Sequence, residues 1–409
     1  MDKFLWKIIE KEIKRQEETI DLIPSENFVD LETLFIVGSP LMIKYAEGFV
    51  GKRYYPGNKF IDKIESLAIK RALKAFRLGP EWGCNVQSYS GSPANLAVLL
   101  GLAEPGSKIM GLSLSSGGHL THGHQVSYTG KLFKSFQYSV KDQLNYDEIL
   151  KLAKKVKPKI IISGTTSYPR KIDFKKFFEI AKEVGAYHLA DISHIAGLVI
   201  AKFHPSPFKW ADVVTTTTHK TLRGPRGAVI FYRKELEEKI QKSVFPGLQG
   251  GPHLHTIAGI AYAFWRASKK DFKNYQKNVL KNSLSLCNFL KSFGFEFFTG
   301  GTDNHLMVID LKNLGIDGKY AERLLEKSNI LANRNVLPED KKPFTPSGLR
   351  LGTPAITSRG LKEKEMRIIA EFIKEVILER KNVKEKVRDF IKNFPLPYKG
   401  WLKKIRSLI

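Results

Sequence analysis

The sequence predicts an α/β fold whose core is a mostly parallel sheet covered by helices on both faces. Three observations predict it. From Lys108 onward, short apolar runs alternate with helical stretches, in the order KIMGLSL, KIIISGTT, AYHLADIS, VVTTTT and AVIFY, which is the rhythm of strands joined by crossover helices. The run from Ala211 to Thr218 is largely β-branched, as suits a strand buried on both faces. Each of these strands also ends in polar residues, at the edge where open α/β sheets place their chemistry.

The chain has 409 residues, 42% of them hydrophobic, enough for roughly two to three domains with real cores. Cys84 and Cys287 lie far apart and match no metal or redox spacing, which points to a reducing compartment, the cytoplasm. The net charge of +26 raises the question of a nucleic-acid partner. The lysines, however, are spread over helix faces such as Lys151 to Lys159, Lys269 to Lys281 and Lys381 to Lys392. That distribution reads as a solvated surface and not as one block interleaved with aromatics.

In chain order, the opening MDKFLWKIIEKEIKRQEE puts Phe4, Leu5, Ile8, Ile9 and Ile13 on one helical face. It never forms an unbroken apolar core, so it reads as neither signal peptide nor membrane span. Pro24 then breaks the helix and leaves Ser25, Glu26 and Asn27 in an extended turn. Lys44 to Gly57, KYAEGFVGKRYYPG, gathers Tyr45, Glu47, Arg53, Tyr54 and Tyr55 among glycines, the composition of a binding loop or of a surface loop with packed tyrosines. A helix follows with Ile61, Ile64, Leu67, Ala68, Ala72 and Ala75 along one side. The extended Cys84 to Tyr89 then runs into Ser90-Gly91-Ser92-Pro93 and another helix. Free N–H groups and two hydroxyls at a helix start suit an anion, ideally a phosphate, although an ordinary serine cap looks similar.

At the strand ends, SSGGHLTHGH carries His119, His122 and His124 with no carboxylate or cysteine nearby to complete a ligand set, so no metal is assigned. Thr165 and Thr166 follow the next strand, and Asp191 and His194 the one after. VVTTTT leads straight into His219 and Lys220, with Gly224, Pro225 and Gly227 behind them. A lysine with hydroxyls packed before it and a stiff turn after it is badly placed as a solvated charge, and reads as a working amine. An acid, imidazoles, an amine and an anion site together are what a pyridoxal-phosphate enzyme needs. The lysine forms the imine, the aspartate keeps the ring nitrogen protonated, a flat side chain covers the ring, and a cup holds the phosphate.

From about Leu22 to Thr357 the chain also resembles the serine hydroxymethyltransferase family. The motifs KYAEGFVGKRYYPG, SYSGSPAN, GGHLTHG, DISHIAGLV, VVTTTTHKTLRGPRG, FPGLQGGP, GGTDNHL and SGLRLGTPAIT carry the resemblance, in the family's order. It implies fold type I of the pyridoxal-phosphate transferases, similar to aspartate aminotransferase. The domains would be an N-terminal arm (1–46), a large cofactor-binding domain (47–270) and a smaller C-terminal α/β domain (271–409). The implied reaction interconverts serine plus tetrahydrofolate with glycine plus 5,10-methylenetetrahydrofolate.

Residue by residue, the resemblance implies that Lys220 would hold pyridoxal phosphate, Asp191 would pair with its ring nitrogen and His119 would stack on its face. Thr166 and His194 would contact its oxygen side, and Ser90, Gly91, Ser92 and His219 would hold the phosphate. Arg350 would fork onto the substrate carboxylate, a task suited to guanidinium, with Ser25 at the same end. Glu47 would be the acid/base near the hydroxymethyl group, with Tyr55 close by and Tyr45 from a neighbouring subunit. Gly250 and Gly251 would close a neighbour's phosphate site, so the active unit would be at least a homodimer. Tyr54, Leu114, Leu120, Asn335 and Phe344 would lie along the folate.

The chain departs from the family pattern at Pro24 (usually alanine), Ser116 (usually histidine) and Thr166 (usually serine). The loop Glu339 to Phe344, expected to meet folate, is also shorter than the bacterial pattern. Two alternatives remain open: a folate-independent aldolase of β-hydroxy amino acids, which could share Lys220, Asp191, His119 and Arg350, and a basic RNA-binding protein.

Overall fold

In a computed structural model, residues 2–340 and 345–408 are described; Phe344, expected along the folate, lies outside them. The chain forms two compact units, residues 33–276 and residues 1–32 with 277–409.

The unit 33–276 is built on a seven-stranded sheet. Its spatial order is Trp82–Asn85, Ala228–Arg233, Val213–Thr217, Tyr187–Asp191, Ile160–Gly164, Lys108–Leu112, Lys134–Tyr138. The last five run parallel, and Ala228–Arg233 is antiparallel to both its neighbours. Ile160, Ile161, Ile162, Leu189, Val213 and Val214 are fully buried, so the central strands show no alternation because both sheet faces are covered. The edge strand Lys134–Tyr138 has no counterpart in the sequence reading. Its KSFQY is mostly solvent-facing, as an edge tolerates, so it carries little apolar signal.

The helix Lys59–Phe76 buries Ile61, Ala68, Ala72 and Ala75 as expected, but Leu67 is 40% exposed and Glu65 is buried instead. A carboxylate can hold that inward position because the Arg53 guanidinium lies 2.6 Å from it. Charged surface side chains elsewhere pair along their own helices, as in Lys242–Glu238, Arg367–Glu371 and Lys392–Asp389. Such local pairs solvate a surface and add little stability. Among the described residues no helix is long and apolar enough to cross a membrane.

The unit formed by both chain ends holds a four-stranded antiparallel sheet in the order Glu296–Phe297, Leu306–Asp310, Gly348–Gly352, Asn333–Asn335. The segment around Pro24 is stitched to it. Ile20–Asp21 pairs in parallel with Ile330–Leu331, and the Gly352 N–H donates to the Leu22 carbonyl at 2.7 Å. A Cβ at Gly352 would stand only 2.6 Å from Pro24 Cα, so the glycine is needed for that approach. The helix Lys3–Glu17 buries none of its residues, and its Phe4, Leu5 and Ile8 are exposed.

Candidate active site

Five segments of the larger unit bring side chains to the carboxyl edge of its parallel strands. The strand Tyr187–Asp191 ends on Asp191, in register with Thr215 and Gly164 of the flanking strands. Asp191 is 8% exposed and receives three hydrogen bonds, from His122 Nε2 (3.1 Å), Asn95 Nδ2 (2.9 Å) and the Ser193 N–H (3.0 Å). Burial by itself would raise its pKa; the His122 contact, with smaller contributions from His119 and Ser193, overcomes that and holds Asp191 well below the carboxylate range. It is a permanent anion.

His122 accepts the His119 N–H on Nδ1 at 3.2 Å, so its proton sits on Nε2 and points at Asp191. Asn95 is fixed in turn: Thr215 Oγ1 donates to its carbonyl oxygen (2.7 Å) and its amide also reaches Thr121 (2.9 Å). His119 caps a single helical turn, its Nδ1 accepting from the Thr121 N–H at 3.2 Å. Burial first, then His122 and Lys220, push the His119 pKa down to about 4, with Asp191 opposing. At neutral pH the ring is therefore uncharged, and it lies in the field of both Asp191 and Lys220.

Lys220 is 8% exposed and sits in a turn locked from both sides. Before it, Thr218 donates to the Pro225 carbonyl (2.6 Å); after it, Thr221 donates to the His194 carbonyl (2.8 Å). Arg223 adopts the left-handed region that closes the turn. His219 is driven down to about 3 by burial and then by the charges of Lys220 and Arg226; its buried Nδ1 has no hydrogen-bond partner among the described residues. Thr166 donates to the Gly118 carbonyl at 3.0 Å, tying its strand end to the loop that carries His119. His194 is buried.

The helix Gly91–Leu102 starts at the same edge. Ser90 stands at its N-cap but makes no side-chain capping bond, which leaves its hydroxyl and the first-turn N–H groups to another acceptor. A Cβ on Gly91 would lie 2.7 Å from Thr217 Cγ2, so glycine is what lets the helix start come up against the strand that delivers Lys220. Ser92 is exposed. An uncapped helix start, an orphaned buried imidazole nitrogen, a fixed anion, a neutral ring and a buried lysine make a donor set that fits pyridoxal phosphate.

A second group lies in the same unit. Gly48–Phe49 and Lys52–Arg53 form a two-stranded hairpin directly after Glu47. A Cβ at Gly250 would meet Glu47 Oε1 at 3.1 Å, and one at Gly251 would meet the Tyr45 ring at 3.2 Å. Tyr45 and Tyr55 pack with ring centroids 5.0 Å apart. Tyr45, Tyr54 and Tyr55 are nonetheless exposed, as are Leu114 and Leu120. Glu47 is therefore grouped with Tyr45, Gly250 and Gly251.

Ser25, Asn335 and Arg350 belong to the other unit. Arg350 lies mid-strand with Nε donating to Asn333 Oδ1 at 3.0 Å, and burial lowers its pKa to about 10, which leaves it fully charged. Asn335 donates to the Val336 carbonyl at 2.7 Å.

Sequence reasoning missed Asn95, Thr121 and Ser193, and it weighed His122 only as a metal ligand. The available signal was an asparagine on the apolar side of a helix beginning SGSPAN, since a buried amide requires partners.

Comparison with known proteins comes to the same point. The sequence profile described as "Serine hydroxymethyltransferase" matches residues 1–373. A protein of that name from Methanosarcina barkeri (strain Fusaro / DSM 804) is 51% identical over 406 residues, covering 97% of this chain and 98% of that protein.

Proposed function

The chain belongs to the serine hydroxymethyltransferase family, and on that premise we propose how its own residues divide the work. The family's reaction interconverts serine plus tetrahydrofolate with glycine plus 5,10-methylenetetrahydrofolate, with pyridoxal phosphate as cofactor. When bound, the cofactor supplies the electron sink for the bond broken at the substrate α-carbon.

Lys220 would be the residue that tethers the cofactor. Asp191 holds a proton on the ring nitrogen, and its network of His122, Asn95 and Ser193 keeps it anionic for that purpose. His119 would stack on the cofactor ring as a neutral imidazole, so no charge there would compete with the sink. Ser90, Gly91, Ser92 and His219 take the phosphate, and Thr166 and His194 the oxygen side. Arg350 binds the substrate carboxylate by two parallel N–H bonds, with Ser25 beside it. Glu47 moves the proton at the hydroxymethyl oxygen, with Tyr55 adjacent. Glu47 stands with Tyr45, Gly250 and Gly251, and on this reading the whole group belongs to a neighbouring subunit's site, with a cytoplasmic homodimer with shared sites as the working unit. Tyr54, Leu114, Leu120, Asn335 and Phe344 line the folate.

The observation that carries this reading is the ionised, triply hydrogen-bonded Asp191 at the sheet edge that also carries Lys220. The test is the absorbance of the purified protein. A visible band that reports covalent attachment is expected in the wild type and absent in Lys220→Ala, which should keep its fold and lose multiple turnover. Wild-type turnover in that variant would overturn the assignment. A folate-independent aldolase would cleave serine equally well without tetrahydrofolate, and an RNA-binding protein would hold a specific RNA at near-physiological salt.

A further inference from the structure

Arg53 folds back over the residue it follows by one short hairpin. Its Nη1 donates to the carbonyl oxygens of Ala46 (2.9 Å) and Gly48 (2.8 Å), the residues on either side of Glu47. Nε reaches Asp62 at 2.8 Å and Nη2 reaches Glu65 at 2.6 Å, so the fork is engaged on every nitrogen while its side chain is only 4% exposed. The Glu47 carbonyl in turn accepts the Tyr54 N–H at 3.1 Å.

The arrangement continues beyond the hairpin. Gln87 Nε2 donates to the second oxygen of Glu65 (2.7 Å) and to the Gly48 carbonyl (3.0 Å). The Gln87 carbonyl accepts from Gln249 Nε2 (2.8 Å), Gln249 Oε1 accepts the Tyr89 N–H (3.1 Å), and the Tyr89 hydroxyl donates to the Gly251 carbonyl (2.7 Å). One unbroken chain of hydrogen bonds joins the peptides around Glu47 to Gly251.

Stability alone does not account for it. A buried guanidinium between carboxylates contributes no more than well-packed apolar side chains would, because desolvation offsets the attraction. What the fork does deliver is geometry. The carbonyls of both residues that flank Glu47 are held by a single rigid group, and a lysine with one nitrogen could not span both carbonyls and both carboxylates.

We propose that Arg53, locked by Glu65, is a positioning residue for Glu47: it fixes the backbone from which the Glu47 carboxylate is aimed, and Gln87 carries the same constraint to Gly251. The proposal rests on the reading of Glu47 as the proton carrier.

The experiment is a double-mutant cycle on the cofactor-loaded protein, using Arg53→Lys, Glu47→Gln and both together. Arg53→Lys is expected to lower kcat for tetrahydrofolate-dependent serine cleavage by about 10–100-fold, the scale of a misplaced catalytic group. Serine KM, cofactor absorbance and the slow folate-independent cleavage of a bulkier β-hydroxy amino acid should stay near wild type. In the Glu47→Gln background, adding Arg53→Lys should cost nothing further. An equal loss in both backgrounds, or a loss shared by serine KM and absorbance, would make Arg53 a general structural residue and overturn the proposal. If Glu47→Gln alone leaves turnover intact, the reading of Glu47 fails and the proposal falls with it, an outcome distinct from the first two. Should Arg53→Lys not fold, Glu65→Gln weakens the same clamp while keeping its shape. A roughly 3–10-fold loss of kcat is then expected, the effect of one weakened charge-assisted bond, again vanishing in the Glu47→Gln background.

Discussion

Asp191 and Glu47 are carboxylates of one compact unit placed in opposite surroundings. Asp191 is 8% exposed and takes hydrogen bonds from a helix, a loop and its own turn. Glu47 is half-buried, its peptide is clamped by Arg53, and the rings around it stand open: Tyr45 is 54%, Tyr54 76% and Tyr55 43% exposed. At the sheet edge, Asp191, Asn95, His122 and Thr215 are buried and hydrogen-bonded to one another or to their neighbours within a single chain. The hairpin has a rigid backbone beneath an aromatic surface that is not covered, the composition of a patch that meets another molecule. Under the proposed assignment, the difference separates a cofactor end intrinsic to the fold from a proton-transfer end that depends on assembly.

Mixing subunits would break that comparison most directly. Glu47→Gln keeps shape and much of the hydrogen bonding but carries no proton, so folate-dependent turnover should fall by about 10²–10⁴-fold. Lys220→Ala should be inactive. If the two residues serve one site from different chains, co-refolding the two variants in equal amounts should restore roughly a quarter of wild-type sites, since half of randomly paired dimers are mixed and each mixed dimer holds one intact site. No recovery would place Glu47 and Lys220 in the same chain's site.

The intrinsic character of the sheet can be sharpened by pH. His188, buried within the strand Tyr187–Asp191, has its pKa pushed down to about 4 by burial, against ~6.5 in an unfolded chain. Between these values the unfolded state binds more protons. Stability from this residue is therefore fully present above ~6.5 and is lost as pH falls toward 4, by about 3 kcal/mol. Denaturant melts across that window should show a slope that His188→Gln reduces, at any protein concentration. An unchanged slope would mean that His188 is protonated in the fold.

The smallest expected effect concerns a third place, Arg350 in the other unit. Arg350→Lys keeps the charge and loses the fork, so serine binding should weaken by roughly 1.5–3 kcal/mol while cofactor absorbance stays unchanged. Unaltered serine affinity would move the carboxylate site elsewhere.

What the sequence determined by itself is the strand-and-turn grammar. VVTTTTHK, DISH and SGSP each put reactive residues directly behind a strand or before a helix, within a few positions, so β-branched runs, prolines and glycines were enough to place Asp191, Lys220 and Ser90 on one sheet edge. The tertiary structure decided what surrounds them. Asn95 meets Asp191 across 96 positions and Gln249 meets Gln87 across 162, and Glu65 lies on the buried face of its helix, one turn from Ile61 and Ala68, where its charge by itself argues for solvent. Such residues look like surface in a linear reading because a buried polar group is recognisable only by its partner, and the partner is supplied by packing between segments far apart in the chain.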